Sequence, residues 1–341
     1  EWGVRVEGFA FEGAGGKFSE HSDANAVGAG LNGIGAAAAV FISSRTDVTV
    51  RRDGKTYTQC FSGGYPGAFE GKTFDPDAPF TRNDAQKLRG LANKKPDTHG
   101  TSVRILLDPD VAPDSALDID EVLLRAQAAA RMCRGVHLVV VDEGWPGGEV
   151  PEILTERFDG PWGTDALLGL MCTAAGNPQP EVQLLVEGAG SYTTGRGPTP
   201  FRWSLAAGPA EPATVSAFCN TVRTPGGGSH LTAALKGLTE ALAEKASRLR
   251  DLGIAKGEDG PEPQDFAAVT ALAIDTRAPD VAWDGQAKTA VSSRSLNVAM
   301  APEVARAVTV CAITAIRRSA AMTGSCSPPT PTRTAATSTP A

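Results

Sequence analysis

The sequence predicts an α+β fold that is divided between two domains. A chain of 341 residues is longer than a single hydrophobic core usually organises. Apolar runs typical of strands, such as 136–141 and 182–186, alternate with stretches of helical period, such as 119–134. A glycine-rich stretch at 26–36 stands just before the first predicted helix, and we expect it to be the functional centre of the first domain.

The composition is that of an ordinary folded protein. Hydrophobic residues make up 41% of the chain and charged residues 21%. The formal net charge of −7 argues against a strongly basic nucleic-acid-binding surface over the whole chain. It leaves room for a local basic groove or for a DNA-binding partner.

Cysteine and histidine usage predicts neither a zinc site nor a disulfide framework. The six cysteines contain no C-x-x-C pair, and the four histidines show no H-x-x-x-H spacing. We therefore expect free thiols in a reducing cytoplasm. The chain shows no signal peptide and opens on Glu1 instead of methionine, so we expect it to be cut from a longer protein.

The glycine-rich stretch is typical of a phosphate-binding loop. Four of the eight residues 28–35 are glycine, and in a helix interior each would cost up to roughly 1 kcal/mol relative to alanine. The apolar run 37–42 follows directly and is expected to begin as helix. A glycine loop that opens onto a helix N-terminus offers N–H groups and the positive end of the helix dipole to an anion. The plainer alternative is a structural glycine turn.

Two other interpretations of this stretch are weaker. Residues 28–33 match the dinucleotide fingerprint G-x-G-x-x-G, and Asp53 lies twenty residues further on. The preceding residues 19–25 are polar, and Asp53-Gly54 is typical of a hairpin turn where a Rossmann unit needs a crossover helix. The charge-free stretch 24–44 consists mostly of alanine and glycine, so its hydrophobicity is too low for a membrane span.

The other elements of the first domain follow in order. Alternating residues on either side of Asp53-Gly54 predict a β-hairpin, and a polar stretch from about 63 to 99 predicts a long surface excursion. The run 103–107 predicts a strand. A helix is expected from about 119 to 134, with Asp118 as its N-cap.

The second domain begins after a proline-rich stretch near 177–180. The expected elements are strands at 182–186, 201–205, 214–218 and 269–274, and helices at about 231–253 and 302–317. A second glycine turn, 223–231, opens the first of these helices, whose leucines recur at helical spacing. From 319 onward the serine, proline and threonine content predicts a disordered tail.

Six short motifs occur along the chain in a specific order. They are A-G-G-K-F at 14–18, G-A-G-L-N-G-I-G-A at 28–36, R-D-G-K at 52–55, H-G-T at 99–101, T-P-G-G-G-S-H-L at 224–231 and D-G-Q-A-K at 284–288. The set resembles the ATPase half of bacterial type II DNA topoisomerase B subunits, those of DNA gyrase and topoisomerase IV. Asn32 stands where the bacterial enzymes usually have histidine, and Ala287 replaces the threonine of the family's Q-T-K loop. Each motif alone is weak, but six in the family's order are specific.

The resemblance implies a Bergerat-type (gyrase and histidine-kinase-like) ATP-binding sandwich over about 1–175, lacking its N-terminal elements. It implies a ribosomal-S5-like transducer domain over about 180–318, before the tail at 319–341. ATP and Mg²⁺ are the implied cofactors. The implied partners are DNA, a gyrase A or topoisomerase IV A-type subunit and a second copy of the chain, in the cytoplasm and without a membrane. ATP-driven dimer closure would be coupled to DNA strand passage.

The resemblance also implies roles for individual residues. Backbone N–H groups are expected to hold the phosphates at Gly30, Leu31, Asn32, Gly33, Ile34 and Gly35. Lys17 adds a positive charge, Arg52 lies at the pocket mouth, and Thr101 lies near the adenine. Gln286 and Lys288 reach the γ-phosphate, where a cation stabilises developing charge. The plainer alternatives are solvated lysines, a hairpin arginine that covers apolar surface, and a threonine that merely starts a strand.

The first seventeen residues depart from the family pattern. The family's general base is a glutamate on an early helix, one turn before an asparagine that binds Mg²⁺. Glu1, Glu7 and Glu12 have no asparagine at that spacing, so we assign no metal ligand. Because a positioned base is worth roughly 10²- to 10⁴-fold in rate, we expect this chain alone to hydrolyse ATP poorly.

Two interpretations of that departure stay open. The chain is either an internal piece of a topoisomerase B subunit whose base lies upstream, or a catalytically incomplete or decayed paralogue. In the second case it acts as a nucleotide-binding and dimerisation module without hydrolysis.

Overall fold

Two units of sheet and helix make up the described part of the chain. The computed structural model describes residues 34–71, 75, 77–83, 90–92, 99–113, 118–133, 138–142, 154–158, 163–181, 183–248 and 262–323. Unit 1 is assembled from described residues within Glu1–Ala126 and Val139–Glu156, and unit 2 from those within Gln127–Leu138 and Arg157–Ala341. The predicted site residues Lys17, Gly30, Leu31, Asn32 and Gly33 lie outside the described residues.

Unit 1 is built on an antiparallel sheet. Its elements are helix α1 (Ile34–Phe41) and strands β1 (Ser43–Arg52), β2 (Lys55–Ser62), β3 (Tyr65–Phe69), β4 (Phe80–Arg82), β5 (Leu91–Ala92) and β6 (Gly100–Leu107). The strand order is β4-β3-β2-β1-β6, and β5 pairs with β2. The predicted hairpin is confirmed, because Arg52 pairs with Lys55 and the two turn residues, Asp53 and Gly54, have φ values of 51° and 69°. The stretch predicted as a surface excursion contains β3, β4 and β5. These strands were not predicted, because they are too short to show an alternating pattern.

The register of β1 divides the sheet into two faces. Val48 and the partly buried Val50 pack with Val40 of α1 and with Phe61 of β2, so the even-numbered residues of β1 share the face that α1 covers. We call this side the helix face. Because successive side chains of a strand alternate, the odd-numbered residues of β1, from Arg45 to Arg51, lie on the opposite side, here called the open face.

A helix and a small two-stranded sheet follow unit 1's main sheet along the chain. They are α2 (Ile119–Met132), β7 (Leu138–Asp142) and β8 (Leu154–Phe158). The predicted N-cap is confirmed, because the carboxylate of Asp118 accepts hydrogen bonds from the backbone of Asp120 and Glu121 at 3.0 and 3.2 Å. The end of α2 belongs to unit 2: the guanidinium of Arg277 donates to the carbonyl of Met132 at 3.0 Å and to Asp275 at 2.8 Å.

Unit 2 packs helices on a mixed five-stranded sheet. Its elements are α3 (Thr164–Ala174), β9 (Leu184–Thr194), β10 (Gly197–Pro209), β11 (Thr214–Cys219), β12 (Val222–Arg223), α4 (Ser229–Arg248), α5 (Pro263–Ala268), β13 (Thr270–Arg277) and α6 (Arg294–Thr323). The strand order is β12-β11-β13-β10-β9. Strands β11 and β13 are parallel, and α4 lies in the connection between them, which is the expected β-α-β arrangement.

The last helix begins earlier and ends later than the sequence predicted. Pro302 was the expected start, because proline is favoured in the first turn of a helix. It lies instead inside α6, with its side chain exposed. Leu296, Met300 and Val304 are fully buried at i, i+4 spacing through the proline, and this packing carries the helix across it. The helix continues to Thr323, past the predicted tail boundary at 319, and residues 324–341 lie outside the described part.

Helices α4 and α6 approach most closely at a glycine. A Cβ atom added at Gly237 of α4 would lie 2.6 Å from both the carbonyl oxygen of Ala301 and the Cβ of Val304. Both groups are held within α6, so neither has room to yield. The absence of a side chain at this position therefore sets the distance between the two helices.

We expect Gly237→Ala to destabilise unit 2 by about 1–3 kcal/mol, because the added methyl group overpacks the interface between α4 and α6. Urea unfolding followed by circular dichroism measures the change. Gly169→Ala in α3 is the matched control: its Cβ would meet only the movable amide of Gln179, so we expect an unchanged or slightly higher stability. Equal stabilities of the two variants would contradict the close approach.

Candidate functional site

The described end of the predicted phosphate loop forms the first turn of α1. Gly35 and Ala36 are exposed, and a Cβ atom added at Gly35 would meet no atom of the described residues within 4 Å. The first N–H groups of a helix have no acceptor within it, and the helix dipole adds positive charge there. The N-terminal end of α1 therefore has the backbone groups and dipole direction that suit an anionic group such as a phosphate.

Arg52 and Thr101 lie on the same face of the sheet as α1. Thr101 on β6 pairs directly with Val50 on β1, and directly opposed side chains point to the same side. Arg52 follows Val50 by two residues, so it shares that side as well. Both are exposed, and the guanidinium of Arg52 lies 3.3 Å from the carboxylate of Asp53. Unit 1 thus brings Arg52, Thr101 and α1 to its helix face.

In unit 2, Gln286 and Lys288 lie on a tight turn. Gly285 has a φ of 77°, and the backbone N–H of Lys288 donates to the carbonyl of Gly285 at 3.3 Å. Lys288 itself has a φ of 56°, which is uncommon for a residue other than glycine and marks backbone strain. The side chain of Gln286 is exposed, and the ammonium of Lys288 lies 5.9 Å from the centroid of the Trp283 ring. The turn therefore presents an amide and a cation close together.

A ladder of backbone hydrogen bonds fastens this turn to the second glycine motif. Gly226 donates to the carbonyl of Thr289 at 2.9 Å, Val291 donates to that of Gly227 at 3.2 Å, and Ser229 donates to that of Val291 at 2.7 Å. We call this set the glycine clamp. A Cβ atom added at Gly228 would lie 2.2 Å from the carbonyl oxygen of Val291, so a side chain there would break the clamp. Two motifs that the sequence presented separately are thus in contact.

Sequence reasoning missed Thr289 and Val291. Both act through backbone atoms, and Val291 is fully buried beside the turn. No residue-type signal marks a backbone acceptor, so nothing in a single sequence would have found them.

His230 is a buried neutral side chain just behind the glycine clamp. The hydroxyl of Thr224 donates to the carbonyl of Ala217 at 2.9 Å, which leaves its oxygen to accept from the ring Nε2 of His230 at 3.2 Å. Nδ1 of His230 has no hydrogen-bond partner among the described residues. Burial lowers the pKa of His230 to about 4, since a charged ring would lose its hydration.

The described ranges contain no group of three or more histidine, cysteine, aspartate or glutamate side chains placed to hold a metal ion. They also contain no helix whose length and hydropathy together would suffice to cross a membrane.

Comparison with known proteins relates the chain to DNA topoisomerases. A family model described as DNA gyrase B matches residues 185–316. A protein of Mycolicibacterium smegmatis named topoisomerase subunit TopoN is 80% identical over 297 residues, which are 87% of this chain and 43% of that protein. The DNA gyrase B protein of Archaeoglobus fulgidus is 27% identical over 281 residues, 82% of this chain and 38% of its own length. The chain spans less than half the length of these relatives.

Solved structures show the same fold. The ATP-binding domain of topoisomerase IV from Francisella tularensis, in complex with a small-molecule inhibitor, aligns with a TM-score of 0.57 at 17% identity, over 84% of this chain and 67% of that one. The 43K ATPase domain of Thermus thermophilus gyrase B, in complex with an aminocoumarin, aligns with a TM-score of 0.52 at 20% identity, over 86% and 74%. The predicted α+β, Bergerat-type fold is confirmed.

The fold is that of GHKL-type ATP-binding regions. The recognition made from the motifs is also confirmed: over the matched residues, the chain is related to the B subunits of type II DNA topoisomerases. The domain boundaries at 175 and 180 and the roles of the individual site residues stay predictions.

We expect unit 2 to lose stability as the pH falls below 6.5. The unfolded histidine takes up its proton near pH 6.5 and the folded one near pH 4, so between these values acid favours the unfolded state. At pH 4.5 the loss should be about 2–3 kcal/mol relative to pH 7. Urea unfolding at both values measures it, with His230→Gln as the control that removes this titration. An equal acid-induced loss in both proteins would contradict the assignment.

Proposed function

We propose that this chain is the ATP-binding and transducing region of a type II DNA topoisomerase B subunit. ATP binding would drive closure of a homodimer and couple nucleotide turnover to passage of one DNA duplex through another. A gyrase A or topoisomerase IV A-type subunit and DNA would be its partners. The likeness to gyrase and topoisomerase IV B subunits supports this proposal, and the geometry of the two units agrees with it.

Within that function we propose a division of roles. The loop Gly30–Gly35 and Lys17 hold the triphosphate, with Arg52 at the pocket mouth and Thr101 beside the adenine. Gln286 and Lys288 contact the γ-phosphate. When bound together with the nucleotide, Mg²⁺ would supply positive charge to the phosphates. The protein's own residues orient the phosphate chain and offset its charge, which is the main lever in phosphoryl transfer.

One observation carries the ATP-binding part of the proposal. The exposed Gly35 of α1, Arg52 and Thr101 lie on the helix face of a single sheet, although Arg52 follows Gly35 by 17 positions in the chain and Thr101 follows Arg52 by 49. A structural glycine turn would require no such convergence. A nucleotide site requires it, because phosphate, sugar and base need contacts from different parts of the chain.

We expect Gly35→Ala to weaken ATP binding at least tenfold without lowering the stability of unit 1. The added methyl group meets no atom of the described residues within 4 Å and suits a helix. It would project from the turn that the phosphates must approach. Isothermal titration with ATP and Mg²⁺ measures the affinity, and thermal unfolding measures stability. Gly169→Ala makes the same chemical change on α3, and an equal ATP affinity in the two variants would refute this role.

We expect Lys288→Met to reduce the preference for ATP over ADP, because only ATP carries the γ-phosphate that the ammonium contacts. The ratio of the two dissociation constants should fall at least tenfold toward unity. Lys236→Met on α4, an exposed lysine 3.8 Å from Glu240, is the matched control. An unchanged ratio of dissociation constants in Lys288→Met would show that Lys288 does not contact the γ-phosphate.

Binding is the sharper readout for that experiment, because we also propose that this polypeptide hydrolyses ATP slowly. Glu1, Glu7 and Glu12 have no asparagine one helical turn later, so none is placed as the family's general base. Lys288-dependent turnover as fast as that of a complete topoisomerase would contradict this part of the proposal.

A further inference from the structure

The open face of the unit 1 sheet carries a row of arginines in register. Arg104 on β6 pairs with Asp47 on β1, Asp47 with Cys60 on β2, Cys60 with Gly67 on β3, and Gly67 with Arg82 on β4. Residues that pair across a sheet point to the same side, so Arg104 and Arg82 stand at the two ends of one row. Four strand spacings separate their backbones, roughly 19 Å.

A third arginine and a row of hydroxyl groups extend this surface. Arg51 lies four residues beyond Asp47 on β1, roughly 13 Å along the strand on the same side. On β1, Thr49 lies between Asp47 and Arg51 and belongs to a second row across the sheet, in which Ser102 pairs with Thr49 and Thr49 pairs with Thr58. The side chains of Arg51, Arg82 and Arg104 are all exposed. The surface thus presents cations together with hydroxyl donors, the groups that bind phosphate oxygens.

The one carboxylate that the described strands place on this face is paired. Asp47 forms an ion pair with the buried Arg45, whose guanidinium lies 3.0 Å from the carboxylate. The Cys60 thiol is uncharged at neutral pH, because burial and the neighbouring Asp47 raise its pKa to about 11. Among the described strand residues of the open face, four arginines (Arg45, Arg51, Arg82 and Arg104) therefore stand against one carboxylate, Asp47.

The local charge balance runs against that of the whole chain. Residues 45–104 contain eleven lysines and arginines against seven aspartates and glutamates, a net charge of +4. The chain as a whole has −7, so the rest carries −11. Positive charge is thus concentrated in this segment of an otherwise acidic sequence, which favours polyanion binding by this segment over the rest of the chain.

We propose that the open face binds the phosphate backbone of duplex DNA without reading its sequence. This inference rests on the proposed function, which includes DNA as a partner, and it names the surface. Single strands are the less suitable ligand because they need aromatic rings for base stacking. Here the guanidinium of Arg82 lies 3.8 Å from the centroid of the Tyr65 ring, and that of Arg45 lies 4.2 Å from the centroid of the Phe69 ring. These contacts fix the direction of the cations and occupy the rings.

The test compares two triple variants of the full chain that change the net charge equally. The first is Arg51→Gln, Arg82→Gln and Arg104→Gln on the open face. The matched control is Arg196→Gln, Arg202→Gln and Arg306→Gln, three exposed arginines of unit 2. Fluorescence anisotropy with a labelled duplex, measured over a series of salt concentrations, gives the affinity and its salt dependence.

Loss of three phosphate contacts should lower the slope of log K against log salt by about 2 to 3 and weaken binding about 10²-fold near 0.1 M salt. The control should keep the slope of the unmodified chain. Equal losses in both variants would show that net charge alone governs binding and would overturn the proposal. So would equal affinity of the unmodified chain for anionic lipid vesicles, or tighter binding of single strands.

Two further measurements distinguish a failure of the DNA-binding inference from a failure of the proposed function. Isothermal titration with ATP is run on the same proteins. If the unmodified chain binds ATP but not DNA, the DNA-binding surface is refuted and the nucleotide site is retained. If the triple glutamine variant does not fold, the single variant Arg51→Gln should lower the slope by about 0.9. The charge-preserving triple lysine variant should retain binding, and its failure to do so would contradict a purely electrostatic contact.

Discussion

The glycine clamp is the contact on which the arrangement of unit 2 depends. It joins the residues just before α4 to those just before α6, since α4 begins at Ser229 and α6 begins at Arg294, three residues after Val291. Both helices therefore start from the same place. Their close approach at Gly237 and Ala301 lies about two turns from each start, as expected for helices that leave the clamp side by side. Backbone hydrogen bonds thus set the packing of two long helices.

In unit 1 the corresponding constraint is strand register. A slip of one residue between β1 and β6 would move Thr101 from the helix face to the open face and would bring Arg104 to the apolar side. The equivalent slip between β1 and β2 is opposed by Val48 and Phe61, because one of the two would leave its buried position beneath α1. The same apolar pairs that stabilise the sheet therefore decide which polar residues meet a ligand on each side.

Much of the fold was predictable from the sequence because its signals are local. The hairpin at Asp53-Gly54, the N-cap at Asp118 and the long helix after the second glycine turn each follow from residues that are close in the chain. Short strands such as β4 and β5 were missed, because two or three residues show no periodicity. The predicted start of α6 was wrong. Proline favours the first turn of a helix, but at Pro302 the burial of neighbouring side chains, which only the folded chain reveals, continues the helix through the proline.

The candidate site divides in the same way. Gly35, Arg52, Thr101 and Lys288 are predicted from residue type and motif order, whereas the clamp acts through carbonyl groups that every residue has. Backbone contacts also hold the Gln286–Lys288 turn, where Ala287 stands in place of threonine. The strained backbone at Lys288 is held from outside the turn, by the hydrogen bond of Asp284 to Ala290 and by the pairing of Trp283 with Val291. Ala287 is exposed and lies outside these contacts, so the exchange of threonine for alanine leaves the frame that positions Lys288 unchanged.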